Sequence, residues 1–142
     1  MINTEQQNSE TAMDESFGKD YKLCSRKLIE DVFKKGSSVK AFPIKLIYIE
    51  NEGLTGTRQF QIAISVPKRN FRSAVDRNYI KRLLREVIRK NKILIEPYLI
   101  EHNKKLALFL IFGDKQMPEL QFLDKRIKKA FNSLIENLKD EH

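Results

Sequence analysis

The sequence predicts an α+β domain, a small mixed sheet with helices packed on it, in the order α-β-β-β-α-β-α. Three observations carry this. Phe60, Ile62, Ile64 and Val66 alternate with Gln59, Gln61, Ala63 and Ser65, the period of a half-buried strand. Ile80, Leu83, Leu84, Val87 and Ile88 fall on one arc at helical spacing. Leu120, Leu123, Ile127, Phe131, Leu134 and Leu138 repeat the helical period over a longer closing segment.

The elements follow in order. Ser25 is placed to cap a short helix through Lys35, whose apolar face is Leu28, Ile29, Val32 and Phe33. Gly36 is expected to end it as a left-handed stop. Ser37 to Glu50 reads as extended, and Pro43 either splits it into two strands or confines it to a sheet edge. Asn51 to Thr57, with Gly53 and Gly56, reads as a turn, and Arg58 to Val66 as a strand that Pro67 ends. Ser73 and Asp76 favour the start of a helix running to about Asn91. Pro97 interrupts Ile93 to Asn103, which is either a frayed turn or a loop. Lys105 to Phe112 is a strand, its seven apolar residues Leu106 to Phe112 indicating burial. Gly113 to Pro118 is a loop before the closing helix.

At 142 residues one domain is expected. Residues 1–20 carry five acidic side chains against Lys19 alone, with few bulky apolar groups, and are expected to form a disordered acidic tail. The folded domain is then 21–142. A lone cysteine, Cys24, excludes an intrachain disulfide and fits a reducing compartment. No signal-peptide pattern opens the chain, and no apolar run approaches the ~20 residues that span a bilayer. A cytoplasmic protein is expected.

Charge sets the functional direction. Ten basic residues lie between Lys68 and Lys92 against Asp76 and Glu86 alone, a net +8 that equals the formal charge of the whole chain. Arg77, Lys81, Arg85 and Arg89 are four apart and form one ridge about 18 Å long, with Asn78 and Arg82 beside it. Lys68, Arg69 and Arg72 extend the ridge past the helix N-terminus. Ordinary surface helices mix signs, so a like-charged stripe points to a polyanion such as a nucleic acid backbone. An idle solvated face is the plain alternative. A membrane-surface role is disfavoured because the apolar arc is needed for the core. No zinc-ligand spacing, carboxylate cluster or nucleophile with a positioned base is present, and His102 and His142 read as solvated side chains.

The run Asp76-Arg77-Asn78-Tyr79-Ile80-Lys81-Arg82-Leu83-Leu84-Arg85-Glu86 resembles the Arg-Asn-x-x-Lys-Arg-x-x-Arg signature of the protein subunit of bacterial ribonuclease P. Ala63-Ile64-Ser65-Val66-Pro67-Lys68-Arg69 is similar to the strand and turn preceding that signature, and Asp31 to Val39 to the family's first helix and its glycine. The resemblance spans about residues 22–138. It implies the protein component of an RNA-dependent endonuclease that removes the 5′ leader from precursor tRNA. In that reading 21–142 is a single RNA-binding domain. The partners are the catalytic RNA and precursor tRNA. Mg2+ is held mainly by the RNA, which also carries the catalytic centre, and no obligate protein partner is indicated. It also implies a left-handed β-α-β crossover, against the general right-handed rule.

Carried over by position, Arg77, Asn78, Lys81, Arg82 and Arg85 are expected to contact the catalytic RNA. Lys68, Arg69, Arg72 and Arg89 extend that surface. The family's leader cleft lies between the first helix and the sheet, where bases stack on aromatic rings. Phe33 matches a cleft aromatic, and Tyr48 and Phe60 are candidates from the strands. The plain alternative is that Phe33 and Phe60 are core residues; for Phe60 the two readings are even, since period-2 alternation does not say which sheet face is covered. Where many members carry an aromatic four residues earlier, this chain has Ile29. The competing readings are a ribosomal or general RNA-binding protein without a processing role, and a stand-alone nuclease.

Overall fold

The computed structural model describes residues 17–51 and 58–140. The predicted tail up to residue 16 and the predicted turn at 52–57 lie outside them. The elements are α1 (Arg26–Lys35), β1 (Ser37–Ala41), β2 (Ile44–Glu50), β3 (Phe60–Ser65), α2 (Ala74–Asn91), α3 (Glu96–Glu101), β4 (Leu106–Phe112) and α4 (Leu120–Asp140), with 3-10 turns at Lys19–Tyr21 and Lys92–Leu94. Pro43 divides the extended segment into two strands, as one of the two expected outcomes has it. Pro97 starts rather than breaks a helix, because the first turn of α3 needs no N–H from it.

The four strands form one mixed sheet in the order β1-β2-β4-β3. β1 and β4 both pair antiparallel with β2, while β3 pairs parallel with β4 through the β3-α2-α3-β4 connection. β4 is therefore central and buried on both faces, which explains its unbroken apolar run. One face presents Val39, Leu46, Tyr48, Phe60, Ile62, Leu108 and Leu110 to the main core, closed by Ile80, Leu84 and Ile88 of α2 and Leu123, Ile127, Phe131 and Leu134 of α4. The other face carries Ile47, Ala107, Phe109 and Ala63, covered by Leu28, Ile29 and Val32 of α1.

Two helix starts follow the sequence closely. The Ser25 hydroxyl accepts from Leu28 N at 3.2 Å, and the Ser73 hydroxyl accepts from Asp76 N at 3.4 Å. Asn91, buried at the end of α2, donates to Asp124 of α4 at 2.7 Å. Hydrogen bonds from Lys128 and Asn91 hold the Asp124 carboxyl below its ordinary range.

Packing begins before residue 21. Phe17 stacks on Tyr21 at 5.0 Å between ring centroids, and Tyr21 packs on Phe60 at 5.1 Å. Leu23 N donates to Ile62 O, so this segment bridges the outer edge of β3.

Gly36 does not act as a left-handed stop. Its φ of −74° and ψ of 154° are ordinary extended values. The position needs glycine for space: a methyl group there would run into the Val32 carbonyl and come within 2.8 Å of the Tyr48 carbonyl. Both obstacles are backbone, which cannot swing aside. Gly36→Ala should therefore destabilise the fold by about 1–3 kcal/mol, the usual cost of overpacking. Chemical denaturation followed by circular dichroism checks this; an unchanged midpoint would show that α1 and β2 separate freely.

Candidate nucleic-acid interface

The interface is built on α2. Ile80, Leu84, Val87 and Ile88 are fully buried, so the opposite side of the helix must face solvent. That side bears Asn78, Arg82 and Arg85, all exposed, with Lys81 half-buried at the flank. Lys68, Arg69 and Arg72 are exposed in the loop ahead of the helix. Among the described residues none of these seven side chains has a hydrogen bond or an ion pair, so the charge stands unneutralised by the protein itself.

Two predicted ridge residues behave differently. Arg77 is half-buried and turns back, its Nη1 donating to the Phe71 carbonyl at 2.7 Å and the Arg72 carbonyl at 2.9 Å. It fixes the basic loop onto the helix and keeps its other guanidinium donors for a ligand. Arg89 is neutralised. Its Nε and Nη2 grip both oxygens of Glu86, at 3.1 and 2.9 Å, and Lys90 approaches the same carboxylate at 3.6 Å. The Arg89 hydrogen bond is the main cause that lowers the Glu86 pKa. Arg89 is thus a poorer phosphate ligand than its place on the ridge suggests. The i,i+3 and i,i+4 spacings from Glu86 were the signal in the sequence.

The aromatic expectations need correction. Tyr48 and Phe60 are 3% and 0% exposed and lie in the main core, on the sheet face covered by α2 and α4. Neither can offer a ring to a base on the α1 side. Phe33 is 52% exposed at the edge of α1, and its ring meets Phe109 of β4 edge-on at 4.7 Å. Phe109 was missed because the run Leu106 to Phe112 reads as wholly buried. Its odd register against Leu106, Leu108 and Leu110 places it on the α1 side. The next row along that face is Lys45, Ile111 and Ser65, exposed or half-buried. Phe33, Phe109 and Lys45 thus lie along the same side of the sheet as α1.

No group of three or more His, Cys, Asp or Glu side chains that could hold a metal ion comes together among the described residues. No helix among them is long and apolar enough to cross a membrane.

Residues 17–139 match the family profile of Ribonuclease P. The chain belongs to the ribonuclease P protein family. It is 27% identical over 120 residues to the "Ribonuclease P protein component" of Porphyromonas gingivalis, covering 84% of this chain and 87% of the relative. It is 32% identical over 117 residues to that of Mycoplasma genitalium, covering 81% and 87%. The fold matches the solved RNase P protein of Staphylococcus aureus with a TM-score of 0.63 at 22% identity, covering 80% of this chain and 94% of that one. It matches that of Thermotoga maritima with a TM-score of 0.54 at 24% identity, covering 77% and 92%. Membership in ribonuclease P makes this chain a subunit of an endoribonuclease ribonucleoprotein that processes tRNA. The readings as a ribosomal protein or a stand-alone nuclease give way to it.

In this ribonuclease P protein, Arg77 holds the basic loop onto the first turn of α2. Arg77→Ala should speed amide hydrogen exchange at Asn70 and Phe71, whose N–H groups bond to the Pro67 carbonyl, in the RNA-free protein. Exchange rates equal to wild type would show that the guanidinium does not hold the loop.

Proposed function

We propose that this subunit binds the catalytic RNA through the exposed side of α2 and the loop before it, and takes the 5′ leader of precursor tRNA in the cleft between α1 and the sheet. The observation that carries the reading is the stripe of Lys81, Arg82 and Arg85, continued by Lys68, Arg69 and Arg72, with no carboxylate partner among the described residues. Each cation that meets a phosphate releases a condensed counterion, which drives association. Asn78 adds a neutral donor and acceptor for ribose or base edges.

The second surface supports a different contact. Phe33 packs edge-on against Phe109, which orients its exposed ring for stacking. Lys45 follows on the same face for a leader phosphate. Stacking is tolerant of sequence, as leaders of different composition require. Ile29 is half-buried against this face and gives apolar contact without a second ring. The catalytic centre is assigned to the RNA, where bound magnesium would polarise the scissile phosphate and activate water. A cytoplasmic site of action follows from that partner.

A cleavage assay on precursor tRNA, with protein and catalytic RNA added singly and together at low magnesium, tests this directly. The pair should release the leader and leave a 5′-phosphate, and the protein alone should not cut. Cleavage by the protein alone would overturn the assignment. Arg85→Ala should lower the magnitude of the salt slope of RNA binding by roughly one unit, the loss of one phosphate contact. An unchanged slope would place α2 off the interface.

Phe33→Ala should weaken binding of leader-bearing RNA by about 1–3 kcal/mol while leaving assembly with the catalytic RNA nearly unaffected. Titrating the holoenzyme with precursor and with mature tRNA measures this. Equal losses for both would make Phe33 a structural residue only.

A further inference from the structure

We infer that the cleft between the N-terminal segment and α2 is a pocket for a single nucleotide of the catalytic RNA. The inference rests on the reading of α2 as the RNA-binding helix and extends it to residues the ridge does not include. The cleft has a volume of about 530 Å3, within the range of about 300–1,000 Å3 typical of small-ligand sites. Four cationic side chains line it: Lys19 and Lys22 from the N-terminal segment, and Lys81 and Arg85 from the ridge. Leu23, Ile62 and Ile64 give it an apolar floor, and Phe17 supplies an aromatic wall. The described residues that line it include no carboxylate.

The fold explains why a cleft exists here. β3 is an edge strand of the sheet. The N-terminal segment bridges that edge only at Lys22 and Ile62, then turns away into α1. Beyond the bridge, Ala63 and Ile64 wall the gap that remains between the segment and α2. Tyr21 makes the opposite wall rigid. Its ring stacks with Phe17 and packs at a tilt against Phe60, its hydroxyl donates to Glu96 at 2.8 Å, and Lys92 donates to that hydroxyl at 3.1 Å. Lys92 and Arg58 also sit over the ring, at 4.5 and 4.9 Å from its centroid. Phe17 is therefore clamped on Tyr21 while still lining the cleft.

The chemistry of the lining selects a nucleotide. A flat base would stack against Phe17 over the apolar floor, and its flanking phosphates would meet the four cations. A free anion would make no use of the ring and floor, and a plain apolar group would leave four cations unpaired. Because Lys81 and Arg85 belong to both surfaces, an RNA strand lying on the ridge reaches the cleft by turning one base out of its stack. That continuity assigns the nucleotide to the RNA that binds the ridge rather than to the leader, whose cleft opens on the α1 side of the sheet.

The test uses the reconstituted holoenzyme with p-benzoylphenylalanine placed at position 17 or at position 82. Position 17 should cross-link to one site on the catalytic RNA, close in the RNA fold to the sites reached from position 82. Cross-linking from 82 but not from 17, or from 17 to the leader, would overturn the pocket and leave the ridge reading standing. Failure of both would overturn both. Binding measurements give an independent check. Phe17→Leu keeps apolar packing on Tyr21 but removes the ring, and should weaken RNA binding roughly tenfold with an unchanged salt slope, Phe17→Trp restoring it. Lys22→Ala should instead lower the magnitude of the slope by about one unit. Wild-type affinity in Phe17→Leu would refute the stacked base.

Discussion

Burial of one side of α2 is the constraint on which the rest depends. Ile80, Leu84, Val87 and Ile88 lock that helix against the sheet and α4, and each contributes about 1.5–3 kcal/mol on burial. The like-charged neighbours at i,i+4 on the other side cost only about 0.2–0.5 kcal/mol per pair. Burial wins by a wide margin. The protein therefore holds an unneutralised ridge without needing a polyanion to keep it folded, and the helix cannot roll to hide its charges. The backbone of the ridge is fixed before binding, so the ordering cost that remains is that of its side chains.

The same helix organises the neighbouring surfaces. Arg77 ties the basic loop to its first turn, so Lys68, Arg69 and Arg72 continue the ridge as a fixed set. At the far end Glu86 engages Arg89 and Lys90, which bounds the unpaired stripe to its N-terminal two-thirds. The sheet separates this region from the α1 side, where Phe33 and Phe109 meet. A protein of this size can thereby present two chemically different surfaces, one of charge and one of rings.

Much of this was legible in the sequence, for identifiable reasons. Caps at Ser25 and Ser73, the alternation from Phe60 to Ile64, and the helical arcs of α2 and α4 are local signals that the tertiary structure reinforces. What escaped was non-local. Alternation gives two faces to a strand but not the helix each will meet, so it offers Tyr48 as a cleft candidate and leaves Phe60 open between cleft and core, and both belong to the core. The all-apolar β4 concealed Phe109 because a central strand needs apolar residues on both sides. Gly36 was assigned a backbone role when the reason is the close approach of the Val32 and Tyr48 carbonyls. The N-terminal segment carries too few apolar residues to signal order. It is held through Phe17 and Tyr21, whose partners Phe60, Lys92 and Glu96 lie far along the chain.

The central claim is that the exposed side of α2, and not the less basic α4, meets RNA. Mass-spectrometric footprinting of lysine and arginine reactivity, with and without the catalytic RNA, tests it most directly. The account predicts strong protection at Lys68, Lys81, Arg82 and Arg85 and none at Lys125, Lys128 and Lys129. Protection confined to the α4 lysines, with the α2 ridge still reactive, would contradict it.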